Sequence, residues 1–340
     1  MPTRPHRIIP DALRMLRLKL NYFKRTTPYQ GPLFDAMMQI NSQVSESSLL
    51  ETMERAGVYR MCLFAREQNP YPATQHCLEI ALNNPTKFVL GAPKRFNSRD
   101  DISDEFLEYL TALTQQPEYQ FIGELQCTHA DKYPYSIGNE HTLRGERYIQ
   151  ADAPNMMQLA RNLAGTGKPI YLHWEAYAWA RDWPHYDNLF KSNPATIFVW
   201  PHAGYADAVY VNEVMNRHDN VYATISKRDM YYFDHKWRTY RGDDVGSYGL
   251  NNREWQDNLG SAMLELNGDI KDEWYYLLER FPTRFLFGID AHKMVRWHFY
   301  TAAVENFRMI LGQLPQALAD QIAYKNAEQL FGSSQSKTAK

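Results

Sequence analysis

Residues Arg284–His292 have the sequence Arg-Phe-Leu-Phe-Gly-Ile-Asp-Ala-His, a short apolar run that ends in Gly-x-Asp. Two earlier stretches have the same form: Lys168–Trp174 (KPIYLHW) contains His173, and Thr196–Gly204 (TIFVWPHAG) contains His202. Short apolar runs of this kind are typical of parallel strands that are buried on both faces. Each run is closed by a residue that can bind a metal or move a proton. We therefore expect this aspartate and the two histidines to lie at strand ends.

From residue 33 onward, apolar strand-like segments alternate with amphipathic helix-like segments. The predicted strands are Leu33–Asn41, Val58–Arg66, Lys87–Pro93, Gln120–Cys127, a fifth ending at His173, a sixth ending at His202, Asn220–Ser226 and an eighth ending at Asp290. Eight alternations predict an α/β fold, a closed (β/α)8 barrel. The carboxyl ends of the strands carry the chemistry of such barrels, so these side chains should converge at one mouth.

The chain divides into three predicted parts. Residues 1–30 are strongly basic and include an amphipathic segment, which would cap the barrel or contact a partner subunit, or alternatively rest on an anionic membrane. Residues 31–332 form the single barrel domain. Residues 333–340 form a polar tail that we expect to be disordered. Long connections after predicted strands four, five and seven, at 128–153, 175–187 and 227–253, are expected to be binding loops.

Composition limits the classes of partner. The 340 residues are 44% hydrophobic and carry a net charge of -2, which argues against a general attraction to nucleic acid. No apolar run reaches membrane-spanning length, and no signal peptide is recognisable. The three cysteines have no metal-type spacing and indicate free thiols. We expect a cytoplasmic protein that binds a small molecule, and a homodimer by analogy with other barrels.

Six short motifs fall at predicted strand ends or in the last helix. They are Phe34-Asp35-Ala36, Ile122-Gly123-Glu124, His173, Pro201-His202-Ala203-Gly204, Gly288-Ile289-Asp290, and Asn326-Ala327 ahead of Leu330-Phe331. Their ordered set resembles the amidohydrolase superfamily, and within it the amidohydrolase-related group of metal-dependent hydrolases and non-oxidative decarboxylases. The resemblance covers about residues 33–331 and implies the same barrel.

The first strand departs from that family pattern. The family presents His-x-His there, two imidazoles on one side of the strand because side chains alternate. This chain has Met37 and Gln39 at the matching positions. A thioether is too soft for such a site, and an amide oxygen is a weak neutral ligand. The resemblance implies one divalent metal ion, with zinc the first choice, on the remaining family ligands; a site without metal is the alternative. Those ligands are Glu124, His173, His202 and Asp290. His129, His141 and His292 are expected on neighbouring loops, and a rearranged metal site that uses one of them is a further alternative.

The resemblance implies an enzyme that hydrolyses, or as a second choice decarboxylates, a small anionic or carbonyl-containing substrate. Asp290 would be the general base for water, and His202 or His173 would polarise the carbonyl or protonate the leaving group. Glu124 would orient an imidazole or bind the metal. The expected substrate contacts are Gln39, Met37, Arg95, Lys227 and Arg228.

The missing histidines also motivate two rival readings. One is a catalytically degenerate barrel that serves as a binding or scaffold protein. The other is metal-free acid and base catalysis, with Met37 as an apolar floor and Gln39 binding the substrate.

Overall fold

The computed structural model describes residues 27–40, 43–66, 72–94, 102–129, 147–228, 263–265, 268–291 and 297–332. Most of the predicted basic extension and the whole predicted tail lie outside these ranges, so the division into three parts stays a prediction. None of the described helices is long and apolar enough to cross a membrane.

Eight parallel strands form one sheet that curls into a nearly closed barrel, as predicted. They are β1 (Leu33–Ile40), β2 (Val58–Ala65), β3 (Phe88–Ala92), β4 (Tyr119–His129), β6 (Ile170–Trp174), β7 (Phe198–Trp200), β8 (Val221–Thr224) and β9 (Phe285–Leu286). The Ala36 N–H donates to the Phe287 carbonyl at 2.9 Å, and the Asp290 N–H donates to the Met37 carbonyl at 2.8 Å. These bonds join the first strand to the last, which brings Asp290 beside β1.

Helices follow the strands and cover the outside of the barrel. They are α1 (Glu46–Ala56), α2 (Pro72–Asn83), α3 (Asp104–Thr114), α4 (Pro154–Asn162), α5 (Trp179–Ser192), α6 (Ala208–Arg217), α7 (Asp272–Arg280), α8 (Tyr300–Leu311), α9 (Gln316–Asp320) and α10 (Asn326–Phe331). Inside the barrel, an aromatic cluster around Phe121 fills the floor, with Tyr171 at a ring-centroid distance of 5.1 Å. A filled interior leaves the strand ends as the place for a site.

The prediction of a long loop over residues 175–187 is wrong. After a short 3-10 turn, α5 begins at Trp179 and places aromatic side chains at helical spacing against the barrel. Tyr186 stacks on Trp174 with ring centroids 4.1 Å apart, and Trp179 stacks on Trp183 at 4.8 Å. Pro184 lies inside this helix without ending it. A proline inside a helix removes one backbone hydrogen bond, but the aromatic packing stabilises this helix.

Strand β4 pairs irregularly with β6. From Ile122 to Leu125 the strand advances three residues while its partner advances two, and from Gln126 to Thr128 it advances two while the partner advances one. Each irregularity inserts an extra residue and therefore reverses which face the following side chains occupy. The end of β4 also pairs with a short antiparallel strand, β5 (Arg147–Tyr148), which the sequence did not predict.

Candidate active site

Side chains from five strand ends meet at the carboxyl end of the barrel. Glu124 comes from β4, His173 from β6, and His202, Lys227 and Asp290 follow β7, β8 and β9. All five are buried, and His202 and Asp290 are each only 1% exposed. The predicted convergence of the strand-end carboxylates and histidines is therefore present in the structure, although their roles stay a proposal.

Three of these residues have strained backbone conformations. The φ angles of His202, Lys227 and Asp290 are 59°, 58° and 55°, in the left-handed region that residues with a side chain seldom adopt. Each lies in the connection that directly follows a different strand. Left-handed residues of this kind tend to concentrate at functional sites, where surrounding contacts hold them in place.

Gln39 lies between the two deepest carboxylates. Its side-chain Nε2 donates to Glu124 Oε2 at 3.0 Å and to Asp290 Oδ1. Lys94 forms an ion pair with Glu124, and Lys227 forms one with Asp290. The amide of Gln39 therefore acts as a donor that links two ion pairs.

Lys94 is a site residue that the sequence reasoning missed in favour of its neighbour Arg95, which lies outside the described residues. The available signal was its position: Lys94 lies two residues after the end of β3, as His202 lies two residues after the end of β7.

The charges set the protonation of Glu124. Burial alone would raise the pKa of its carboxyl group, but the Lys94 charge and the contact with the His173 imidazole outweigh burial and hold that pKa well below its ordinary value. Glu124 is therefore a carboxylate at neutral pH.

His202 is held in one neutral tautomer. Burial and the nearby charge of Lys227 lower the pKa of its imidazole well below the ordinary value. Its Nδ1 faces the Ser226 backbone carbonyl at 3.2 Å and the Ser226 hydroxyl at 2.8 Å. Because a carbonyl can only accept, Nδ1 carries the hydrogen and Nε2 carries a lone pair. Nε2 has no hydrogen-bond partner among the described residues and lies 3.5 Å from Glu124 Oε1.

His173 lies between two carboxylates. Its Nδ1 is 2.6 Å from Glu124 Oε1, and its Nε2 is 3.1 Å from Glu175 Oε1. Each ring nitrogen therefore lies within hydrogen-bond distance of a carboxylate oxygen. Glu175 was missed by the sequence reasoning, although its position two residues after His173 places it on the same side of the chain.

Two of the predicted substrate contacts lie elsewhere. The Met37 sulfur is fully buried and accepts from the Ser226 hydroxyl at 3.5 Å, so it lies under the residue that orients His202. The Arg228 guanidinium is also fully buried, and it donates to the backbone carbonyls of His202 and Ala203 at 2.7 and 3.1 Å. These contacts support the strained turn around His202.

By distance alone, two groups of described residues could hold a metal ion. One is Glu124, His173 and His202, and the other is His129, His173 and Glu175; in each, the ligand atoms lie within 4.8 Å of one another.

The inner group, at the family's position, does not fit an ion in the arrangement present. Glu124 is occupied by Lys94, Gln39 and His173, and Asp290 by Lys227 and Gln39. The carboxylates of Glu124 and Asp290 are each paired with an ammonium group of the protein, Lys94 and Lys227.

The chain resembles solved structures but no family model. No protein-family model matches it, and no curated protein matches it significantly. A probable 2-pyrone-4,6-dicarboxylic acid hydrolase from Acinetobacter baumannii, with citric acid bound, is similar over 88% of this chain and 99% of its own. The sequence identity is 13% and the TM-score 0.50. An uncharacterised TIM-barrel protein from Bordetella bronchiseptica is similar over 95% of this chain and 92% of its own, with 14% identity and a TM-score of 0.51.

The likeness establishes the fold. Both relatives align over most of their length, which agrees with the single barrel seen in the strand order. At these identities the likeness does not extend to the chemistry, which has to be argued from the site itself.

Proposed function

We propose that the protein is an amidohydrolase-like enzyme that hydrolyses a small carbonyl-containing, anionic substrate at the carboxyl mouth of the barrel. One observation carries the proposal: a neutral imidazole, two carboxylates and two ammonium groups are buried together at the strand ends. Buried charged groups need partners, and such perturbed groups cluster at functional sites.

His202 and Asp290 are the groups that would activate water. The lone pair on His202 Nε2 lies 3.7 Å from Asp290 Oδ2. A water molecule between these two atoms can donate a hydrogen bond to each, and either group can then accept its proton as the water attacks the carbonyl carbon. Attack adds the water oxygen to the carbonyl carbon and gives a tetrahedral adduct. Collapse of this adduct breaks the bond to the leaving group, which takes up the proton that His202 or Asp290 accepted from the water.

The cations and the amide are the groups that would stabilise negative charge. Lys94, Lys227 and Gln39 present N–H donors in a buried setting, where each acts more strongly on a developing oxyanion than in water. The same donors suit a substrate that carries a carboxylate. The citrate-bound hydrolase relative, named for a dicarboxylic acid, is compatible with this substrate class. Decarboxylation of such an acid is the second choice, because His173 could supply the proton that replaces the carboxyl group.

The alternative is a protein without catalytic activity that serves as a binding or scaffold protein. It is favoured by the complete burial of Gln39 between two closed ion pairs, since such a cluster can also be purely structural. A ligand that binds without turnover is what this alternative predicts.

The test is hydrolysis of a panel of small carboxylated lactones, amides and aryl carboxylic acids, measured by proton release and by product mass. We expect Asp290→Asn and His202→Gln each to lower turnover by about 10²–10⁴-fold, the usual worth of a general base. The matched control is Glu213→Gln, an exposed residue of α6 outside the site. Wild-type turnover in both site variants would contradict the proposal, and binding without turnover in the wild type would favour the scaffold.

A further inference from the structure

A second set of metal-binding side chains lies one layer nearer the solvent than the inner cluster. His129 is the last residue of β4, and Glu175 directly follows β6. The side chain of His129 is 24% exposed, compared with 1% for His202. An ion from solvent can therefore bind this set without displacing the lysines paired with the inner carboxylates.

The irregular pairing of β4 is what brings His129 to this place. Glu124 and His129 are five residues apart, so regular alternation would put them on opposite faces. The second irregularity, between Gln126 and Thr128, reverses the alternation again and turns His129 toward His173. Such bulges commonly re-aim a side chain at a site. The backbone here is well fixed, because the Glu175 N–H donates to the Thr128 carbonyl at 3.1 Å.

The distances suit shared coordination. His173 Nε2 and His129 Nε2 lie 3.1 and 3.8 Å from Glu175 Oε1, and the two imidazole centroids are 5.3 Å apart. Two Zn–N bonds of about 2.1 Å at a tetrahedral angle put ring centroids roughly 5 Å apart. Two histidines, one carboxylate and an open position form a common divalent metal site.

The support behind His173 also has the form expected for a metal ligand. Its Nδ1 donates to Glu124 Oε1 at 2.6 Å, and its Nε2 faces Glu175 Oε1 at 3.1 Å. Histidines that bind metals usually donate their other ring N–H to a carboxylate, which fixes the ring and strengthens the ligand. Glu124 would then orient a ligand rather than bind the ion.

We propose that His129, His173 and Glu175 form a binding site for one divalent transition-metal ion at the rim of the mouth, outside the family's position. Binding replaces the hydrogen on His173 Nε2 with the ion, and this proton leaves to solvent. Occupation of the inner group would instead require Lys94, Lys227 and Gln39 to leave buried carboxylates. The proposal goes beyond the proposed hydrolysis, because the site can hold an ion whether or not the protein turns over a substrate.

The test is metal content and cobalt spectroscopy on the full chain, independent of any activity. Wild-type protein and four variants are stripped with chelator, reloaded with zinc, desalted and measured by mass spectrometry. The outer-site variants are His129→Asn and Glu175→Gln, which nearly conserve size. The matched inner-site variants are His202→Asn and Asp290→Asn. Circular dichroism verifies that each variant is folded.

We expect about one zinc per wild-type chain, retention in both inner-site variants, and at least a tenfold lower zinc content in both outer-site variants. Cobalt in the wild type should give the intense visible bands of a low-coordinate site, and these bands should disappear with His129→Asn. Three results would overturn the proposal: no zinc in reloaded wild type, zinc retained in both outer-site variants, or zinc lost from a folded His202→Asn variant.

Discussion

Asp35 joins the first strand to the segment that carries Asp290. Its Oδ1 accepts from the Met37 N–H at 3.0 Å and from the Ile289 N–H at 3.2 Å, and its Oδ2 accepts from the Tyr300 hydroxyl at 2.9 Å. Complete burial raises the pKa of this carboxyl group from 3.8 to about 7, although the three donors oppose the rise. Asp35 therefore changes charge near neutral pH inside the barrel.

This raised pKa predicts a pH-dependent stability. A carboxyl group whose pKa rises on folding contributes its full stability below the unfolded value near 3.8, and the contribution is lost as pH rises through about 7. Asp35→Asn removes the titration but keeps an acceptor for the two N–H groups. We therefore expect the free energy of unfolding of Asp35→Asn, relative to that of wild type, to be higher at pH 8.5 than at pH 5.5. Urea unfolding at both pH values measures this difference.

The control for this experiment is Glu51→Gln on the exposed face of α1. It should change the free energy of unfolding equally at the two pH values. A difference between Asp35→Asn and wild type that does not vary with pH would contradict the raised pKa.

The Lys94–Glu124 pair predicts non-additive stability effects. Lys94→Met leaves Glu124 buried without its ammonium partner, which should cost about 3–5 kcal/mol. Adding Glu124→Gln removes the unpaired charge, so the double variant should be more stable than Lys94→Met alone. Urea unfolding of the two single variants and the double variant measures the coupling. A double variant less stable than Lys94→Met would contradict the ion pair.

An exposed pair provides the comparison. Glu213→Gln disrupts the surface contact with Arg217 and should change stability by only about 0–1 kcal/mol.

The turn after β7 orients His202 through packing rather than through regular hydrogen bonding. Four consecutive residues, 202–205, have positive φ angles. Within the turn, Gly204 has a φ of 63°, and a Cβ atom there would meet the Trp200 ring and come within 2.6 Å of the Trp174 carbonyl oxygen. The two tryptophans therefore define the space available to the turn.

Gly204→Ala should thus be much more destabilising than an alanine at another left-handed glycine. The matched control is Gly165→Ala, where φ is 72° and no described atom lies within 4 Å of the new Cβ. We expect about 1–2 kcal/mol for Gly165→Ala from the backbone alone. Gly204→Ala should cost roughly 2–5 kcal/mol because the clash with Trp200 adds to it. Equal losses in thermal unfolding would contradict the packing of this turn.

Sequence patterns predicted where the strands lie better than they predicted which face of a strand each side chain occupies. The apolar runs that become β1–β4 were recognisable because buried parallel strands are almost continuously apolar. The irregularities in β4 could not be predicted, since an inserted residue depends on the partner strand and leaves no local mark. For this reason Glu124 was recognised on its motif, whereas His129 was expected on a loop, as one of three candidates for a rearranged metal site, and lies instead at the end of β4. Helix α5 was missed because the aromatic residues of 175–187 were interpreted as part of a binding loop, although they recur at helical spacing.

The whole barrel was predictable because its evidence is distributed over the chain. Eight alternations in a chain of 340 residues favour a closed parallel barrel over an open sheet, and the hydrogen bonds between β1 and the β9 segment confirm the closure. The partners of the carboxylates were not predictable in the same way. Lys94 and Lys227 come from connections after different strands, and only the closed barrel brings them to Glu124 and Asp290.

Two features distinguish the mouth of this barrel. Lys94 and Lys227 neutralise the inner carboxylates, and the side chains of the proposed metal site lie at the rim. Diffraction from zinc-soaked crystals, recorded above and below the zinc absorption edge, tests this arrangement most directly. We predict an anomalous peak bonded to His129, His173 and Glu175, with Lys94 and Lys227 on their carboxylates. A peak bonded instead to Glu124, His202 and Asp290, with both lysines displaced, would contradict the account.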